Sequence, residues 1–279
     1  MKHGQPPPLK DMAALWRVKD AVNFEDFVVW KDEVGLKRGT LFETDGKIKF
    51  LECTVKPHDQ IITEFNSQFD RQIMSIYANT PLYPQWTNDI MTDLRYPGSR
   101  KQPDSAWRPI PRPRPVLVGP NPFLPFIPRQ TNGDAFPTVV LEVGNSQTVP
   151  DLIKIRNRIL SWKTGVNVFV LIAYNRNNTR ASDSWYVQVA HRDYFAPHPN
   201  PLAANDTYPG CVVMFETAKV GNHYPRVNVP IPAGQDVWSI PSSHLYHPET
   251  PPMLNPPFPV SFNLNIDEIR RTIIRERPP

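Results

Sequence analysis

The sequence predicts an α/β domain with a mixed central sheet flanked by helices, and three observations carry that expectation. A strand, a helix and a second strand follow one another across about 40 residues, the pattern of a parallel crossover. A long amphipathic helix precedes this unit, and shorter alternating strands follow it. Proline is the third observation: 34 of 279 residues, roughly twice the usual share, which excludes a helical bundle or coiled coil because each interior proline removes a donor and clashes with the preceding turn.

Each element has a local cause. Leu9 to Trp30 mixes charged and apolar residues at helical spacing and predicts one or two short helices. Gly39-Thr-Leu-Phe-Glu, the Asp45-Gly46 turn and Lys47 to Thr54 predict a hairpin. Between His58 and Asn79, Ile62, Phe65, Phe69, Ile73 and Ile76 step by three and four and draw one apolar stripe, with Pro57 at the entry. Pro81 to Pro137 reads as irregular. Pro137-Thr-Val-Val-Leu-Glu-Val-Gly is a buried strand, and Thr148-Val-Pro-Asp opens a helix that buries Leu152, Ile155, Ile159 and Trp162. Val166 to Tyr174 is a second interior strand. Ser184 to Ala190 and Cys211 to Glu216 look antiparallel, with weaker pieces at Arg226–Ile231 and Trp238–Ile240. Pro248 to Pro259 is an arm, and Ile266 to Arg277 closes the chain as a short helix. The organisation expected is an N-terminal helical extension over 1–38, a core over 39–175 with a proline-rich insertion at 108–137, and strands over 176–279 that extend or cap the core.

Composition narrows the chemistry. A net charge of +4 permits a polyanionic partner without demanding one. Two distant cysteines, Cys53 and Cys211, exclude a disulfide framework and a cysteine-based zinc site. No apolar run approaches the roughly 18–20 residues that span a bilayer, and the amino terminus lacks a secretory core. These features predict an intracellular protein, cytoplasmic or nuclear, with no membrane partner. GxGxxG, GxxxxGK[ST] and GxSxG are absent, so nucleotide-binding loops of those kinds and a serine-hydrolase elbow lack support. Ser243-His-Leu-Tyr-His247 has no carboxylate context for zinc.

The informative acid is Glu142. On its strand Val140, Glu142 and Gly144 face one way while Val139, Leu141 and Val143 face the other. An ionised carboxylate there needs a positive neighbour. Mg2+ or Mn2+ would serve, as would a lysine or arginine, and the residues alone leave both open. Asp104, after Pro103, supplies a second acid.

Taken together, Pro103-Asp104, Glu142-Val-Gly144, then Thr148 and Asp151 leading a helix that ends at Gly165-Val166, resemble the PD-(D/E)xK nuclease superfamily with its restriction-endonuclease-like fold. The resemblance spans roughly Gly39 to Tyr174. It implies that Asp104 and Glu142 hold one or two Mg2+ (or Mn2+) ions, with Glu64 of the preceding helix as a third acid, and that water activated by the metal attacks a phosphodiester. Glu64 reads equally as a solvated helix residue. The family's lysine belongs where this chain has Gly144. Lys154 and Arg158 of the following helix are candidate replacements, or else a solvated helix edge, and Gln147 can orient water. Arg108, Arg112 and Arg114 of the insertion, with Arg129 beyond them, can track phosphates beside Trp107 and Phe123, or the insertion is a stiff polyproline loop. The partner implied is nucleic acid, DNA ahead of RNA, and a homodimer is compatible. The alternatives are a catalytically impaired nuclease-like fold that binds nucleic acid or protein, and a scaffold in which Glu142 only meets a basic side chain.

Overall fold

The computed structural model describes residues 40–42, 48–50, 56–77, 86–88, 94–96, 99–109, 130, 135–144, 147–161, 164–175, 183–193, 211–219, 221–246 and 259–275. The elements in chain order are β1 (Thr40–Phe42), β2 (Ile48–Phe50), α1 (Lys56–Tyr77), β3 (Trp86–Asn88), β4 (Leu94–Tyr96), β5 (Ser99–Lys101), β6 (Ser105–Pro109), β7 (Val139–Gly144), α2 (Val149–Ile159), β8 (Val168–Asn175), β9 (Ser184–Arg192), β10 (Cys211–Glu216), β11 (Val237–Pro241), α3 (Ser242–Tyr246), β12 (Ser261–Asn265) and α4 (Ile266–Arg275). The expected helix at Leu9–Trp30, the arginines at 112, 114 and 129, Phe123 and most of the 248–259 arm lie outside the described residues.

The architecture is a mixed α/β fold. Six strands form the main sheet in the order β10-β9-β8-β7-β6-β3, with β7 and β8 parallel and every other neighbour antiparallel. α2 makes the crossover between β7 and β8, as the apolar runs either side of Thr148 require. Strands β7 and β8 are buried on both faces over almost their whole length, which is why they read as continuous Val/Leu/Ile runs rather than alternations. One face carries Val140, Phe169, Leu171 and Ala173 against Leu152, Ile155 and Ile159 of α2. The other carries Val139, Leu141, Val143, Val170 and Val187 against α1, β12 and α4.

Aromatic stacking and two glutamines hold α1 in place. Phe69 stacks on Trp107 of β6 at 5.6 Å between centroids and on Phe262 of β12 at 5.7 Å. Asn66 Oδ1, in the same buried layer, accepts from Ser105 Oγ at 2.6 Å and from Trp107 Nε1 at 3.0 Å. Further along, Gln72 exchanges two hydrogen bonds with the backbone of Asn263 (2.6 and 2.8 Å) and Gln68 does the same with Asn265 (2.7 and 3.2 Å). The two side-chain amides thus stand in for a neighbouring strand along β12, satisfying backbone groups that would otherwise lack partners.

Two expectations change. Pro81–Pro137, read as irregular, contains β3, β4, β5 and β6, all of three to five residues and too short to show alternation. Arg226–Ile231 is not a strand: only a single bridge joins Arg226 to Ser184, because Pro225, Pro230 and Pro232 remove the donors a ladder needs. Downstream of β8, β9 and β10 extend the main sheet while β11 and β12 form a separate pair behind α1. Among the described residues no helix is long and apolar enough to cross a membrane.

The Asn66 junction carries a stability prediction. Asn66→Ala strands two buried donors, each costing about 1–3 kcal/mol, so chemical denaturation should show a loss of about 2–6 kcal/mol with an unchanged m-value.

Candidate functional site

β6 and β7 pair with Ser105 opposite Leu141, Ala106 opposite Val140 and Trp107 opposite Val139. Continued one residue past the start of β6, that register sets Asp104 opposite Glu142, so the two acids are cross-strand neighbours. The backbone fixes Asp104 firmly: its N–H donates to the Leu141 carbonyl at 3.2 Å, and its Oδ2 accepts from the Val143 N–H at 2.7 Å. Oδ1 meets His58 Nε2 at 3.3 Å, and the other ring nitrogen of His58 lies 3.2 Å from Asp59. His58 stands in the first turn of α1 and is buried. In the sequence its one signal is its place one helical turn before the Ile62–Ile76 stripe.

Glu142 is 2% exposed. Lys101 Nζ, at the end of β5 and equally buried, donates to Glu142 Oε1 at 2.5 Å. Oε2 is buried and has no hydrogen-bond partner among the described residues. A cationic side chain therefore does enter the site, from upstream of Asp104 rather than from the strand position two residues after Glu142. Position 144 is closed to one: a Cβ on Gly144 would come within 2.5 Å of Leu152 Cδ1, and Leu152 is fully buried where α2 crosses the sheet. The helix that completes the crossover thus excludes a side chain at this position, and Lys101 reaches the acid across the β5–β6 turn.

The electrostatics follow from burial. Desolvation pushes the Glu142 carboxyl up to about 7, with Lys101 opposing and the Asp104 charge reinforcing the rise. Burial works against the Lys101 ammonium, but the Glu142 and Asp104 charges outweigh it and raise its pKa above the usual value. His58 behaves alike: burial lowers its pKa, while Asp104 and then Asp59 raise it further and leave a net increase. Four titratable groups from α1, β5, the entry of β6 and β7 therefore sense one another.

The other expected residues lie elsewhere. Glu64 accepts from Gln68 at 3.0 Å and lies 3.5 Å from Arg71, which also reaches Glu268. That places Glu64 in the α1–α4 ion network, and the histidine of α1 rather than this acid is what meets Asp104. The Lys154 side chain is 71% exposed and paired with Asp151 at 3.2 Å. Arg158 is half-buried in the last turn of α2, the end of the helix away from Gly144. Arg108 is half-buried on β6, opposite Thr87 of β3. Gln147 lies beyond Gly144, at the entry of α2. His244 packs on His191 with ring centroids 4.2 Å apart, and burial lowers the pKa of both, so the pair reads as a neutral packed contact.

Among the described residues no group of three or more His, Cys, Asp or Glu side chains is arranged to hold a metal ion. Asp104 and Glu142 nonetheless suit one. They are two carboxylates that the register sets as cross-strand neighbours, one with a buried oxygen lacking a partner among the described residues, and Mg2+ commonly takes one or two carboxylates and completes its shell with water and substrate phosphate.

No protein-family model matches the chain, and no curated protein does. Among solved structures it is similar to a DUF820 protein from Anabaena variabilis described as a candidate nuclease, at 15% identity and a TM-score of 0.39, over 96% of this chain and 99% of that one. A likeness of this size carries no argument about the site.

Lys101→Met should destabilise the protein more at pH 8 than at pH 5. A carboxyl whose folded pKa exceeds its unfolded value of 4.5 loses stability as pH rises between the two. Removing the ammonium raises the folded value again and widens that window. The loss at pH 8 should approach the roughly 3–5 kcal/mol of a broken buried pair, read from denaturation curves at the two pH values. Gly144→Ala should cost about 1–3 kcal/mol by overpacking against Leu152 at either pH.

Proposed function

We propose that this chain is a metal-dependent nuclease of the PD-(D/E)xK kind, with Asp104 and Glu142 as its metal ligands and Lys101 in the role the family gives to the strand lysine. The observation that carries the reading is the half-engaged carboxylate of Glu142. One oxygen is held by a buried ammonium, and the other is buried and unpartnered beside a second acid.

A divalent ion held there would polarise the phosphodiester and lower the pKa of a bound water. The chain's own groups have definite tasks. Asp104 is locked by the Val143 N–H through one oxygen, so its carboxylate is oriented before any ligand arrives. Lys101 places a positive charge in a dry site, where charge developing on a phosphate oxygen would be stabilised far more than in water. His58 lies between Asp59 and Asp104, one ring nitrogen toward each, and so helps to hold the Asp104 carboxylate in place. Glu142 must be deprotonated to bind a cation, and its raised pKa puts that step near neutrality.

The ion pair between Lys101 and Glu142 also favours a second reading, a nuclease-like fold whose acid is permanently neutralised from within and which binds nucleic acid without cutting it. Cleavage separates the two. Incubated with single-stranded DNA, duplex DNA or RNA and Mg2+ or Mn2+, the protein should cut at least one of them. Asp104→Ala and Glu142→Ala should abolish cutting, and Lys101→Met should reduce it by a factor of about 100 or more, the usual scale for loss of an electrostatic stabiliser. Equal residual cutting in the two acid variants would overturn the assignment, and retained binding without any cutting would establish the second reading. Metal affinity, followed by calorimetry, should tighten about tenfold per pH unit below 7 and level off above it, because a protonated carboxyl does not ligate.

A further inference from the structure

Beyond Glu142, toward the ends of β7 and β8, the same sheet face carries a second feature. Register aligns the strands in rows. Glu142 stands beside Leu171, Leu171 beside Gln188 and Gln188 beside Glu216; the next row on that face is Gly144, Ala173 and Tyr186. Rows two residues apart along a strand are separated by about 6.6 Å. Ala173 and Tyr186 lie in a cleft of about 240 Å³ that is also lined by Gln147, Val149, Pro150 and Tyr224. This space is below the roughly 300–1,000 Å³ of pockets for drug-sized ligands, so it suits one planar ring system rather than a peptide.

We propose that this cleft receives an unstacked nucleobase of the substrate strand, holding the chain so that a phosphodiester next to that base lies over Glu142. The inference rests on the nuclease reading above and names what its site recognises. Tyr224, half-buried in the wall of the cleft, offers a ring on which any base stacks. The Tyr186 hydroxyl is already engaged, donating to Glu216 Oε2 at 2.7 Å and accepting from Gln188 Nε2 at 2.7 Å, so it is not available to a base and the ring backs Tyr224 from within the core. Tyr224 packs on Tyr186 with centroids 5.2 Å apart and carries the Lys219 ammonium 4.7 Å from its ring centroid, which braces the wall and brings a positive charge to the rim. The entry of α2 is spoken for, since Thr148 Oγ1 caps Asp151. Polar recognition falls to Gln147, whose Oε1 is buried and has no hydrogen-bond partner among the described residues. A buried amide oxygen accepts from an exocyclic amino or ring N–H group, the donors that a base edge carries and a sugar-phosphate backbone lacks.

The test uses the full chain in EDTA, so that binding is read without cleavage. A fluorescent single-stranded hexadeoxynucleotide is titrated alongside the same oligomer with one abasic site moved through each position. Wild-type protein should lose affinity about tenfold or more at one position, the scale of a single stacked base, and less than twofold at the others. Gln147→Ala, at a half-buried loop position, and Tyr224→Ala should bind the intact oligomer as weakly as wild type binds the abasic one at that position. Equal affinity for every oligomer overturns the base cleft while leaving cleavage with Mg2+ to stand or fall by its own assay. A contrast that persists in both variants places base recognition elsewhere and overturns the assignment too. Absence of any oligomer binding by the wild type overturns it as well, and the cleavage assay again judges the nuclease reading separately.

Discussion

The site depends on one electrostatic fact: a carboxylate placed in the middle of a strand that is buried on both faces. Water cannot solvate Glu142, so its surroundings must, and the structure answers with an ammonium brought in from a different strand pair. That answer covers only one of the two oxygens. Buried ion pairs contribute little net stability because desolvation offsets much of the attraction, so an apolar residue at this position would serve the fold at least as well. The unpartnered oxygen is the group that the proposed cation site would use.

The fold concentrates polar groups into one line across an otherwise apolar face. From Asp104 at the entry of β6 the line runs through Glu142 and, past Leu171, to Gln188 and Glu216. Gln188 is held by the buried Arg156 of α2 and donates to Tyr186, so the helix that closes the crossover also anchors the far end of this row. α2 therefore has two tasks. Leu152 excludes a side chain above Gly144, and Arg156 orders the polar residues beyond it.

Much of this was legible in the residues, though unevenly. The apolar periods of α1, β7, α2 and β8 are long enough to announce themselves, and Glu142 stands out because charge interrupts a run of branched aliphatics. Asp104 was recognisable from its Pro-Asp context and lies where the antiparallel register requires. Lys101 was not legible, since nothing in a Lys-Gln-Pro-Asp string shows that a three-residue hairpin will aim the ammonium back at a strand 41 residues later. Lys154 and Arg158 were attractive by proximity in sequence, but α2 turns Lys154 outward to Asp151. Glu64 reads either way in the sequence for a related reason: helical spacing identifies the buried stripe of α1 but not which polar neighbour of the stripe faces the sheet edge. Gln68 and Gln72, which bind β12 through its backbone, carry no signal that pattern reading detects.

The most direct measurement is anomalous diffraction at the manganese edge from crystals soaked in Mn2+. One strong peak is expected within coordination distance of the Asp104 and Glu142 carboxylates, with Oε2 of Glu142 among the ligands. Full diffraction with no peak there, and Glu142 still paired to Lys101 at a Mn2+ concentration that supports cleavage, would contradict it.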